Sequence, residues 1–247
     1  MTDPGAGYHK KACMQIEADL ELEETDGLTV AGAVLLPLTN GALYWPDERL
    51  LVVADLHLEK GSSFARRGVF LPPYDTAQTL GQLAATVARF MPRVVIALGD
   101  SFHDRESHQR LDAPARDLIA SCQTGRDWIW ISGNHDPAPP AGLGGVAADE
   151  IRVASITFRH EPHSANTGEI AGHLHPVAKV RGRGRAVRRS CFAADDMRLV
   201  MPAFGALTGG LNVLDSAFRD LFCGGLAAWL AGTNGVYRVA PGRLLPD

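Results

Sequence analysis

Five short clusters of Asp, His and Asn stand out in this chain, and each directly follows an apolar run. The run "RLLVVA" (49–54) leads into "DLH", "RVVIAL" (93–98) into "GDSFHD" and "DWIWI" (127–131) into "SGNHD". "SITF" runs into "RHEP", and "GEIA" into "GHLHP". Metal ligation is the chemistry these residue types suit. Asp55 and His57 stand at i, i+2, which on an extended chain points both to one side. His173 and His175 repeat that spacing, Asp100 has two carboxylate oxygens with which to bridge two ions, and Asn134 offers a neutral carbonyl oxygen. His160 adds a further imidazole and is preferred to His163 because it directly follows a strand, whereas His163 lies past Pro162. A mixed oxygen and nitrogen set suits manganese, iron or zinc rather than calcium.

Charge counting favours two ions. Two divalent cations less the charges of Asp55, Asp100 and a bridging hydroxide leave about +1 to attract a phosphate, and paired metals about 3.5–4 Å apart serve phosphoester hydrolysis. A third carboxylate would cancel that attraction, which gives the neutral Asn134 a reason.

These clusters need strands to position them. In α/β sheets, ligands gather beyond the carboxyl ends of strands. Glycine stands before three of the clusters and allows tight turns and close backbone approach. Helical segments at 74–90 and 110–122 separate the first three apolar runs, as in crossover units. "IEADLELE" (16–23) alternates like a half-exposed strand, "LTVAGAVLLPL" and "ALYW" read as further strands, and the last third returns to strands: "RVASITF", "GEIAGH", "VAKV", "RAVRRSCF", "MRLVM" and "VYRVA". The expected architecture is α/β, a two-sheet β-sandwich flanked by helices with a metal site at the strand C-terminal ends. Residues 1–12 read as a flexible tail and 13–247 as one domain.

Composition narrows the class. With 247 residues, 46% hydrophobic and 21% charged, the chain can bury a real core. A net charge of −4 gives no global attraction to nucleic acid or membrane, so any such partner must meet a local patch. Neither long uncharged stretch (199–214, 221–237) reads as a membrane span. Four scattered cysteines and an N-terminus without an apolar signal core point to reduced thiols in the cytoplasm. Oligomeric state is left open, and the apolar C-terminal third could pack against a second copy.

The ordered set "DLH … GDSFHD … SGNHD … RH … GHLH" resembles the calcineurin-like metallophosphoesterase superfamily. The wider context, "DLHLEKGSSFARRG", "FRHEP", "GHLHPVAKVRGRGR" and "MPAFGALTGGL", is similar to the ligase-associated DNA damage response endonucleases of the PdeM type. The resemblance implies that Asp55, His57, Asp100 and His175 hold one metal, and that Asp100, Asn134, His160 and His173 hold the other. It also implies two divalent ions, manganese first and iron or zinc tolerated. A metal-bridging hydroxide would attack phosphorus in line, and His135 would protonate the leaving alkoxide. In the phosphatase branch an Asp three residues after the bridging Asp orients that histidine. Here His103 occupies the position and Asp104 follows, which is closer to the nuclease subunit of double-strand-break repair complexes. His103 then becomes a phosphate or substrate contact, and the orienting role of Asp104 is left open. DNA as substrate, a repair setting and a ligase or helicase partner come from the resemblance alone.

The basic run is less specific. Lys179, Arg181, Arg183 and Arg185 alternate with small or apolar residues, and Arg188 and Arg189 follow. The run could contact DNA phosphates. It could equally pair with the acidic face of residues 17–24, or lie on a solvated edge. "FARRG" (64–68) and Arg105 could steer phosphate or be solvated surface. Two other functions stay in view: the same chemistry on a small phosphoester or nucleotide, and a non-catalytic scaffold, which the full set of ligand positions disfavours.

Overall fold

The computed structural model of the protein describes residues 23–24, 27–72, 74–138, 140, 142–163, 167–182 and 185–247. In chain order the strands begin with β1 (Glu23–Glu24), β2 (Leu28–Val30), β3 (Ala33–Pro37), β4 (Leu43–Trp45) and β5 (Leu50–Val53). Helices α1 (Lys60–Ala65) and α2 (Asp75–Phe90) lead to β6 (Val94–Leu98). Then α3 (Ser107–Arg110) and α4 (Ala113–Gln123) precede β7 (Asp127–Ile131), β8 (Val146–Ala148), β9 (Glu150–Val153) and β10 (Ile156–Arg159). The chain ends with β11 (Glu169–Ala171), β12 (Val177–Arg181), β13 (Ala186–Ala194), β14 (Arg198–Val200), β15 (Ala227–Ala231), β16 (Val236–Val239) and β17 (Leu244–Leu245).

Two mixed sheets form a sandwich. One runs β2-β3-β4-β5-β6-β7-β8, with its last four strands parallel. The other runs β1-β16-β15-β13-β14-β11-β10-β9, with β12 and β17 continuing from β13. Period-two alternation divides the apolar residues of the first sheet. Leu50 and Val52 of β5, with Ile96 and Leu98 of β6, face the other sheet and pack with Phe158, Ile170, Phe192 and Trp229. Leu51, Val53, Val95 and Ala97 face the helices, against Leu80, Leu83 and Val87 of α2 and Ile119 and Cys122 of α4. Strands covered on both faces read as continuous apolar runs, which is why the sequence shows "LLVV" and "VVIAL" without polar interruption. Each such side chain removed from water contributes roughly 1.5–3 kcal/mol.

The α/β sandwich of the sequence reading holds, with local corrections. "RVASITF" is two strands, because Ala154 takes φ 50° in a tight turn and folds β10 back antiparallel on β9. The helix expected over 110–122 is broken at Leu111, which is extended. It restarts where the Asp112 side chain accepts the Ala115 amide at 2.9 Å. Helix α1 and strand β15 were not expected. The tail at 1–12 and most of the acidic strand lie outside the described residues; its end, β1, pairs with β16, Glu23 opposite Arg238.

Candidate metal centre

The five clusters converge where β5, β6, β7, β10 and β11 end. Main-chain bonds lash the loops to each other: the Asp55 amide to the Gly99 carbonyl, that of His57 to Asp100, and that of Gly172 to His160. The residues at i, i+2 converge, but not through the extended backbone the spacing suggested. Asp55, His57, Asp100, His173 and His175 all have positive φ, between 44° and 68°, so neither pair lies on extended chain. Each turn instead carries a side chain inward through left-handed backbone, a costly conformation that clusters at functional sites.

Two glycines make the convergence possible. A Cβ on Gly99 would come within 2.3 Å of the His160 ring, and one on Gly133 within 2.2 Å of the Asp100 amide nitrogen. Larger residues there would push the clusters apart.

The donors form two adjoining groups. In the first, His175 Nε2 lies 3.1 Å from Asp55 Oδ1 and 3.4 Å from His57 Nε2. In the second, His160 Nε2 lies 2.9 Å from Asn134 Oδ1, 3.2 Å from His173 Nδ1 and 3.5 Å from Asp100 Oδ2. Asp100 reaches toward both, its Oδ2 being 3.9 Å from His57 Nε2. Asp55 is fully buried, and its carboxylate accepts the His173 amide at 3.0 and 3.3 Å. No Lys or Arg stands among these donors.

The donor set fits divalent cations. Two imidazole nitrogens facing each other beside buried carboxylates satisfy one another poorly, and a shared cation satisfies them all. Electrostatics agree. Burial would lower the pKa of His160, but the hydrogen bond and charge of Asp100, with Asp55, outweigh it and push it up to about 9. Burial would raise Asp100, yet the bond and charge of His160 and the His135 amide hold it down at about 2. His57 is driven to about 3, mainly by burial and further by the neighbouring histidines. The carboxylates' field thus favours positive charge at His160, while burial keeps the His57 imidazole neutral. His160 Nδ1 faces the Leu98 carbonyl at 3.2 Å, so that proton fixes the ring and leaves Nε2 for a cation.

His135 is partly exposed and borders these donors, forming a third group with His57 and His103. Its Nδ1 donates to the His103 carbonyl at 2.8 Å, and its Nε2 is 3.9 Å from Asp100 Oδ2. Its orienting partner is therefore a backbone carbonyl, which no residue type in the sequence could announce. Asp104 points elsewhere, into a two-pronged pair with Arg110 at 2.7 and 3.1 Å. The His103 ring stacks on that of His135, with centroids 5.3 Å apart, and it is lowered to about 4 by burial first, then by Lys60 and His135. Asp136 accepts the Phe102 amide at 3.0 Å and joins the third cluster to the second; burial, with the charge of Asp100 adding, raises it to about 7.

The basic run lies on a hairpin rather than in the centre. Strand β12 pairs with β13 and β17, and Lys179 stands opposite Arg188. Among the described residues, then, the acidic segment is not its partner. Arg183 lies outside the described residues. Lys179, Arg181 and Arg188 share one face, while Arg189, one residue on, turns to the other. Arg185 is exposed at the turn end. Arg188 binds Asp247 and, at 2.7 Å, the Gly210 carbonyl. His163 is not in the donor groups; its amide contacts Glu169.

A model of the calcineurin-like phosphoesterase family matches residues 48–192, a span containing all five clusters. Among solved structures, the chain is similar to the nuclease MPE of Pseudomonas putida. The identity is 28% and the TM-score 0.67, and the match covers 88% of this chain and 100% of that one. No curated protein matches.

Proposed function

The chain belongs to the calcineurin-like phosphoesterase family, a metal-dependent phosphoester hydrolase, and on that premise we propose that it is a DNA endonuclease using two divalent ions. The observation that carries the reading is the pair of adjoining donor groups with Asp100 between them. Asp55, His57, Asp100 and His175 would hold one ion, and Asp100, Asn134, His160 and His173 the other. Manganese is the ion we favour, with iron or zinc accommodated by the same donors. Bound there, divalent cations acidify water and neutralise the charge of the phosphate.

The chain's own residues do the rest. Because His135 donates through Nδ1 to the His103 carbonyl, its Nε2 is the atom that carries a proton to the leaving oxygen. Stacking on His103 holds the ring in place. One cleft of about 480 Å³ adjoins the loop of His103, and another of about 390 Å³ is lined by Asn134 and His160 themselves. A nuclease among its structural neighbours favours nucleic acid over a small phosphoester. The cytoplasmic setting is supported by Cys122, Cys191 and Cys223 being free thiols. The repair role and a ligase or helicase partner extend the likeness of the motifs.

The test is manganese-dependent cleavage of end-labelled single-stranded, nicked and gapped DNA beside a bis-aryl phosphate. His135→Ala is expected to retain its metal and lose about 10²–10⁴-fold in DNA cleavage, as removal of a general acid does. The loss should be smaller on the aryl diester, whose leaving group needs no proton. Turnover of the aryl diester alone, by wild type, would move the substrate to a small phosphoester.

A further inference from the structure

Two arginine motifs that are far apart in the sequence meet in one cleft beside the centre. Its lining is Ser63, Arg66, Arg67, Asp104, Arg105 and Glu106. It begins where the metal groups end: the Phe64 ring packs 5.5 Å from His103, which lies 5.5 Å from His57 and 5.3 Å from His135. The two acids in the lining are already engaged. Asp104 is clasped by Arg110, and Glu106 pairs with Arg66 at 2.7 Å. Arg67 and Arg105 are exposed and, among the described residues, are paired with no acid, so they supply the cleft's uncompensated positive charge.

The arrangement is built. Arg110 donates to Asp104 and, through Nε at 2.9 Å, to Ser62 Oγ, tying the α1 turn to the loop after His103. Asp104 also accepts the Glu106 amide, which fixes the backbone on both sides of Arg105. Beyond α1, Gly68 at φ 77° turns the chain, and three residues after Arg67 stands Phe70, 86% exposed, with Tyr74 at 72%. Single-stranded nucleic acid lays its phosphates on arginines and its bases on exposed aromatic faces, and Phe70 follows the cleft's Arg67 by three residues. Arginine also matches the two free oxygens of a phosphodiester better than a point charge does.

We propose that this cleft seats the nucleic-acid strand next to the cleaved linkage: Arg67 and Arg105 hold a flanking phosphate and Phe70 stacks a neighbouring base. The proposal rests on the phosphodiesterase reading and gives that site a direction, with the strand entering from the His103 side.

Binding is measured in metal-loaded His135→Ala protein, so that cleavage does not intervene, by fluorescence anisotropy of a labelled single-stranded oligonucleotide. Adding Arg67→Ala and Arg105→Ala is expected to weaken affinity about 10- to 100-fold, the worth of charge-assisted hydrogen bonds. The slope of log affinity on log salt should fall by about 0.7 for each arginine. Phe70→Ala should abolish the quenching of a 2-aminopurine base placed beside the cleaved linkage, while leaving the salt slope as it was. Both sites are on the surface, and melting curves check that the variants fold. Affinity and slope unchanged in the double arginine variant would overturn the proposal. Hydrolysis of the aryl diester by wild type separates the two readings. If it is present and the arginines are silent, only the strand seat falls; if it is absent with metal bound, the parent reading falls.

Discussion

Residues 172–189 join two regions that look alike in the sequence and behave in opposite ways. "GHLH" sits at a buried strand end, both its histidines in left-handed backbone, each held against side chains from other loops. Beyond it β12 and β13 pair with each other, with Arg181, Arg185 and Arg188 exposed and Arg188 paired with Asp247. The first region is positioned by long-range contacts and tolerates almost no displacement. The second is positioned by its own ladder, independent of the five clusters. Spacing alone is a strong signal for the first kind of region and a weak one for the second.

The largest expected effect falls on the shared carboxylate. Asp100→Ala should abolish cleavage and remove bound metal, a loss exceeding the roughly 10–100-fold that follows removal of a ligand's outer partner. Metal stoichiometry by atomic emission checks it, and retention of both ions would break the assignment. Next is Gly133→Ala. The added methyl meets the Asp100 backbone, and such overpacking costs about 1–3 kcal/mol, read from denaturant melts. Smaller again is the clasp beside the centre. Arg110 draws Asp104 well below the usual carboxylate range even against burial, so the clasp contributes stability above about pH 4. That stability is lost as pH falls through the lower folded pKa, and Asp104→Asn should flatten this acid limb of the melting curve. Smallest is the hairpin. Arg188→Ala should leave the melting temperature within scatter and change a DNA salt slope by no more than about 0.7. A large destabilisation there would erase the contrast between the two regions.

The sandwich and the five clusters were legible because buried parallel strands announce themselves as apolar runs, and the polar clusters follow their ends. What was hidden depended on contacts that are not carried by residue type. The partner of His135 is a carbonyl. Asp104 is claimed by Arg110, six residues on, and nothing in the spacing distinguishes that from orienting His135. The acidic alternation near residue 20 suggested a partner for the basic run, but pairing follows topology, and β17 and β13 occupy both edges of β12. Asp55, His57, His173 and His175 were brought to one site on a mistaken picture of an extended backbone.

That backbone sets activity against stability. Asn adopts the left-handed region several-fold more readily than most residues. His shares that tolerance, so replacing His57 or His173 with Asn keeps the backbone's ease while removing an imidazole proposed to hold a cation. Without metal, such inactive variants are expected to melt no lower than wild type. A selection for foldedness alone would let these histidines drift, and only a selection for catalysis would keep them.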